Sequence, residues 1–354
     1  MKITYIANDE ANNWYHAEWR WKVLNRAINR LGSHTSQIIN HKEFGLASDR
    51  VKRVCGESEI LIIYKYLYGE TLTQIQHWKA RGKIVIVDFD HALQLLDKKN
   101  SEYKFWFEGK DSINSDDVIH PAPITQFKWG LQMVDGATVP SMRLADDWGE
   151  YTNTSLIHDY IDLEVYLAIS KMDHEGIILG WKGEIHEASA FIRSGARDAV
   201  AELLKKKQDV KVMLCTDSNK VIEMLNFPKN QVIQQPMLNG KNWPAPLGYF
   251  DIGLVPLFSD YDQRNGLGPL IEFLVTKTPW IASQGSAFHQ VKEYGCLAQN
   301  SKESWQRNLL DIIENLEVRK IEAGRNPYLF GLAKNVDENI LQVIHTYAKI
   351  GDRI

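Results

Sequence analysis

Cysteine is scarce in this chain: Cys55, Cys215 and Cys296 are the only three among 354 residues, with no Cys-x-x-Cys pair. An odd, widely spaced trio argues against both a disulfide framework and a thiolate zinc site, and it points to the cytoplasm. Long apolar runs are missing too. No segment approaches the roughly 20 apolar residues of a membrane span, and the opening MKITYIANDEANN is too short an apolar run for a signal peptide. Any membrane contact would be peripheral. Charge of one sign is also absent: 41 Lys and Arg against 45 Asp and Glu leave −4, so no global basic field draws nucleic acid, although a local basic patch stays open. His186 and Glu187 lack a second histidine at zinc-protease spacing, Ala190 standing there, so no metal is implied.

What is present is ordinary globular composition, 44% hydrophobic and 24% charged, in a chain long enough for two cores. Short β-branched runs alternate with amphipathic stretches, the pattern of parallel sheets covered by helices. Strands are predicted at Lys2–Ile6, Thr35–Ile39, Glu59–Tyr64, Lys83–Asp88 and Ala137–Pro140, with helices over Trp19–Leu31 and Leu72–Arg81 that stop at Gly32 and Gly82. Residues 97–114 read as a long loop or lid, and LIHDYIDLEVY as a last strand entering a linker. The alternation then restarts with GIILGW, a helix from about Ala188 to Lys206, VKVMLC, VIQQ, DIGLVPL and PWIAS. The reading is α/β, with two Rossmann-like doubly wound domains, 1–168 and 169–354, and a ligand cleft between them. The last helix is free to pack back on the first domain.

The passage FDIGLVPLFSDYDQRNGLGPLIEFLVTKTPWIAS, residues 250–283, carries the most chemistry. A buried strand ends at Pro256, a polar loop holds Asp260, Asp262, Arg264 and Asn265, and Gly266, Leu267 and Gly268 lead into a helix bearing Glu272. Glycines at a helix N-terminus let backbone N–H groups reach a phosphate, with Arg264 as a nearby cation. Plain helix capping explains such a turn equally well, and Glu272 by itself is an ordinary solvated helix residue.

The same passage resembles the donor-binding segment of family 4 glycosyltransferases: an aspartate-led strand, a polar loop, a small-residue turn, a helix with glutamate and a Pro-led strand ending in Ser. IILGWKGEIHEASAFIRSGARDAVAELLKKKQDVKVMLC is similar to that family's first strand, glycine turn and helix of the C-terminal domain, which would place Gly180, Trp181, Lys182 and Gly183 near donor phosphates. GKIVIVDFDHALQLL and FKWGLQMVDGATVPSMRLADDWGEYTN resemble the segments that enter the cleft from the other lobe. The resemblance covers about 59–283 and implies a GT-B fold with a UDP- or GDP-sugar as co-substrate. It further implies retention without bound metal. One position departs from it: many members carry two glutamates eight residues apart, and Arg264 occupies the upstream place.

On that reading Lys182, Arg264 and the backbone of Gly266–Gly268 stabilise the departing diphosphate, Glu272 holds the ribose or sugar, and Trp243 lies near the base. Asp88, Asp90 and His91 follow a buried strand and would orient the acceptor; an acidic turn with His91 capping the next helix is the structural alternative. Asn12, Asn13 and Trp14, ahead of Tyr15, Trp19 and Trp21, would form an acceptor platform, though core packing claims part of these aromatics. The acceptor is a glycan, a lipid-linked sugar or another hydroxyl, with nucleic acid not excluded. A non-catalytic binding or scaffold subunit and a sugar-nucleotide epimerase are the alternatives on the same architecture.

Overall fold

Two parallel sheets of six strands each carry the fold, as seen in a computed structural model that describes residues 1–8, 18–98, 100, 102–110, 118–238 and 242–351. The first sheet contains β1 (Lys2–Ala7), β2 (Thr35–Asn40), β3 (Ile60–Tyr64), β4 (Ile84–Asp88), β5 (Gly136–Val139) and β6 (Thr154–Leu156), in the order β2-β1-β3-β4-β5-β6. The second contains β7 (Ile177–Lys182), β8 (Val210–Cys215), β9 (Val232–Gln235), β10 (Ile252–Val255), β11 (Trp280–Ser283) and β12 (Cys296–Ala298), in the order β12-β11-β10-β7-β8-β9. In each sheet the chain winds outward on one side of its first strand and then returns to the other. The winding reverses between β1 and β3 and between β7 and β10, and crevices at the carboxyl ends of such strand pairs are where doubly wound sheets hold ligands.

Contacts divide the chain into two units. The first takes Met1–Tyr160, Arg264–Gly266 and the terminal helix Val336–Gly351; the second takes Ile161–Gln263 and Leu267–Asn335. The first core joins Ile3, Tyr5, Ile60, Ile62 and Ile86 to Val343, Ile344 and Tyr347 of the terminal helix. Tyr5 and Tyr347 hydroxyls lie 3.3 Å apart inside it. The second core is built on Leu179, Trp181, Phe191, Val200, Val212, Ile252 and Trp305.

Three sequence expectations are corrected. LIHDYIDLEVY forms no long strand: β6 stops at Leu156, and Leu163–Leu167 is a helix preceded by Asp162. Its apolar side chains act as loop anchors, with Ile157 and Tyr160 in the first core, and Asp159 is buried beside Arg20. The stretch 97–114 contains a helix, Tyr103–Glu108, held by the fully buried Trp106. The helix expected over 188–206 is two, Ile185–Arg193 and Ala196–Lys206. Gly195 separates them at φ 82°, and a Cβ there would meet Lys302 N at 2.5 Å, so glycine lets the chain turn between the two helices close against the start of the helix Lys302–Glu314.

Candidate active site

The second unit assembles its polar centre where its winding reverses. Lys182 is the last residue of β7, and Glu272 lies on the helix Gly268–Val275 that follows β10. Every residue from Leu270 to Val275 is buried, so Glu272 is the single charged side chain of an otherwise apolar helix. Its exposure is 0%. A buried carboxylate is costly unless its oxygens are satisfied, and here three donors converge on it. Tyr166 Oη and Trp243 Nε1 each donate to Oε1 at 2.6 Å, and Lys182 Nζ donates to Oε2. The Lys182 ammonium also lies over the Trp243 ring, 4.7 Å from its centroid. Burial holds the lysine pKa below its ordinary value, with Glu272 only partly restoring it. Cys215, register partner of Lys182 on β8, is pushed up to about 12 by burial, so its thiol stays neutral and is no nucleophile.

The loop after β10 is fastened at the same edge. Asp262 Oδ2 accepts from the N–H groups of Phe258 and Ser259 at 2.9 and 2.8 Å, and its Oδ1 lies 2.9 Å from His186 Nε2. Burial alone would raise the Asp262 pKa, but the His186 hydrogen bond and these two N–H groups hold it below the usual carboxylate range. His186 in turn meets the Tyr261 ring edge to face at 5.0 Å.

Several residues read as donor contacts have packing roles. Trp181 is 2% exposed and tilted against Phe191 in the second core. A Cβ on Gly180 would lie 2.0 Å from the Phe250 ring, and one on Gly183 would lie 2.6 Å from both Trp181 and Glu187. Pro256 and Leu267 are buried, Gly268 opens the helix, and Asn265 is half-buried.

In the first unit, Arg264 pairs with Asp147, Nε to Oδ2 at 2.5 Å and Nη2 to Oδ1 at 2.9 Å, while its carbonyl accepts from Ser141 Oγ at 2.6 Å. A Cβ on Gly266 would stand 2.1 Å from Asp159 Oδ2, so any side chain there would have to displace the carboxylate that lies beside Arg20. Asp88, at the end of β4, is 3% exposed. Arg20 grips it through Nε and Nη2 at 3.1 and 2.6 Å, Thr138 Oγ1 donates to it at 2.6 Å, and Arg20 Nη1 reaches the Ile157 carbonyl at 2.7 Å. Burial opposes the Arg20 charge, yet Asp88 and Asp159 outweigh it and raise the guanidinium pKa. Asp90, whose charge also acts on Arg20, makes its hydrogen bonds next to that hub: its Oδ1 accepts from Tyr64 Oη at 2.8 Å and lies 2.5 Å from His91 Nδ1. Asn12, Asn13 and Trp14 lie outside the described residues.

Sequence reasoning thus named Lys182, Trp243 and Glu272, which the structure brings together. It missed Tyr166, which no local pattern marks, and Arg20, whose place in the run Trp19-Arg20-Trp21 was a usable signal because a guanidinium among buried indoles needs a carboxylate.

No protein-family model matches the chain, and no curated protein sequence does. Solved structures do resemble it. Sucrose-phosphate synthase from Thermosynechococcus elongatus aligns over 99% of both chains at 12% identity with a TM-score of 0.64. The catalytic domain of starch synthase IV from Arabidopsis thaliana, bound to ADP and acarbose, aligns over 100% of both at 10% identity and 0.64. A putative UDP-N-acetylglucosamine 2-epimerase from Listeria monocytogenes covers 98% of this chain and 95% of its own at 12% identity and 0.56. At such identities the likeness establishes the fold, which is of the GT-B kind.

Proposed function

We propose that this protein is a glycosyltransferase that moves a sugar from a nucleoside diphosphate sugar, of the UDP or GDP type, to an acceptor hydroxyl. The observation that carries the reading is the Lys182–Glu272 pair at the winding reversal of the second sheet. In the transfer, a bond forms between the acceptor oxygen and the anomeric carbon, the bond from that carbon to the diphosphate breaks, and the acceptor proton leaves with the diphosphate or into solvent. Charge grows on the departing diphosphate, so a preorganised cation there lowers the barrier.

Lys182 suits that task. Its side chain is 13% exposed and burial weakens its hold on the proton, so a dianionic ligand offers the ammonium a better-compensated site than Glu272 alone. Full burial makes Glu272 a positioning residue that fixes Lys182, Trp243 and Tyr166 rather than a ligand to the ribose. Arg264, engaged by Asp147, holds its loop in place and leaves the diphosphate charge to Lys182. Asp90 and His91 orient the acceptor. Retention of anomeric configuration and independence from metal follow the family resemblance; anomer-resolved NMR of the product and turnover in chelator test them.

The fold likeness to an epimerase favours one second reading, epimerisation of a sugar nucleotide. The first experiment is thermal-shift screening against nucleoside diphosphates and their sugars, because a ligand that binds the folded state raises its melting temperature. A selective shift supports the donor site and identifies the base; no shift with any of them defeats it. Product analysis then separates the two readings, since an epimerase consumes donor without acceptor.

A further inference from the structure

Half-exposed aromatic rings gather where the winding of the first sheet reverses. Chain leaving β3 turns sharply: Lys65 N donates to the Asp88 carbonyl at 2.9 Å, Tyr66 N donates to the Tyr64 carbonyl at 2.8 Å, and Lys65 adopts φ 68°. A non-glycine residue in the left-handed region is held there by its surroundings. The holding contact is plain: the Lys65 ammonium is 2% exposed and meets both Glu102 oxygens at 2.5 and 2.6 Å. That pair clamps residues 65–68 to the helix Tyr103–Glu108. Beneath it, the buried Trp106 stacks on Tyr66 with ring planes 4° apart.

Three rings stay half-exposed on this clamp. Tyr68 and Phe105 meet edge to face at 5.2 Å, Tyr66 meets Phe105 at 5.8 Å, and Tyr66 meets Tyr68 at 6.2 Å. On the chain leaving the neighbouring strand β4 stand Asp90 and His91, tied to the same turn because Asp90 Oδ1 accepts from Tyr64 Oη at 2.8 Å, one residue before Lys65.

We infer that Tyr66, Tyr68 and Phe105 form a stacking surface for a pyranose ring of the acceptor, with Asp90 and His91 hydrogen-bonding its hydroxyls. The inference rests on the glycosyl-transfer reading and names the acceptor as a neutral carbohydrate. A pyranose has an apolar C–H face and a rim of hydroxyls, which matches flat rings bordered by a carboxylate and an imidazole. The rings are immobilised in advance, so binding costs little side-chain entropy. Asp90 disfavours anionic acceptors such as a phospholipid headgroup or a nucleic acid, the Glu102 charge being compensated by Lys65.

The test is calorimetric titration of the full chain with maltotriose, cellotriose, chitotriose and mannotriose, with uridine and guanosine diphosphates titrated in parallel. One trisaccharide should bind, and Tyr68→Ala and Phe105→Ala should each weaken it roughly tenfold while nucleotide affinity is unchanged. Tyr68→Leu, which keeps apolar volume without a flat face, should lose the sugar at an unaltered melting temperature. Trisaccharide affinity unchanged in all three variants overturns the inference, as does a loss of uridine diphosphate affinity as large as the loss of trisaccharide affinity in Tyr68→Ala and Phe105→Ala. Nucleotide binding with no trisaccharide bound overturns it and leaves glycosyl transfer standing; if neither binds, both readings fall.

Discussion

Each sheet carries a buried ion pair at its carboxyl edge, and the two pairs behave oppositely. Arg20–Asp88 in the first unit is closed: both side chains are at most 4% exposed, Thr138 and the Ile157 carbonyl occupy further sites, and the cation is held more tightly than in an open chain. Lys182–Glu272 in the second is open on one side: the carboxylate is fully buried, but the lysine is partly exposed and its pKa falls. A guanidinium spreads its charge over five donors in a fixed fork, whereas an ammonium is a compact charge that exchanges partners easily. The first pair therefore ties strands to helix, and the second is the one that the proposed function sets against the donor diphosphate.

Breaking the closed pair should have the largest effect. Arg20→Met strands a buried Asp88 charge and should cost about 3–5 kcal/mol of stability in denaturant unfolding. A loss under about 1 kcal/mol would mean that the pair is no tie. Lys182→Met comes next: donor turnover should fall roughly 10²–10³-fold, as for loss of a preorganised charge donor. Equal turnover and equal nucleotide affinity in that variant would make the second pair as structural as the first.

A third measurement isolates a neighbour of the stacking surface. His41 is 4% exposed, its Nε2 lies 2.8 Å from both the Tyr66 carbonyl and Thr71 Oγ1, and burial lowers its pKa to about 4. The unfolded chain takes up this proton first, so the contribution is complete above the ordinary histidine pKa of about 6.5 and is lost as pH falls toward about 4. The loss amounts to at most about 3 kcal/mol and should vanish from the pH profile of His41→Gln. Arg264→Ala should have the smallest effect, about 1 kcal/mol in stability, with nucleotide affinity within about threefold. A tenfold drop in affinity would return Arg264 to the diphosphate.

The strands were legible because buried parallel strands leave unbroken β-branched runs: EILIIY, KIVIVD and VKVMLC read as strands and are strands. Glu272 was legible as a candidate but misread in environment. Local sequence places a glutamate one turn into a helix, while its burial depends on Tyr166 and Lys182, 106 and 90 residues away. The aromatics 66–68 and 103–107 lie in segments without periodicity, so nothing local marks them as one surface.

By itself the sequence determined the α/β class, the two successive windings and the location of the polar loop after β10, because each depends on periodicity and turn chemistry within about 30 residues. Tertiary structure alone decided which charges are closed and which are open. Burial and partner geometry set those states, and both arise from contacts between residues far apart in the chain.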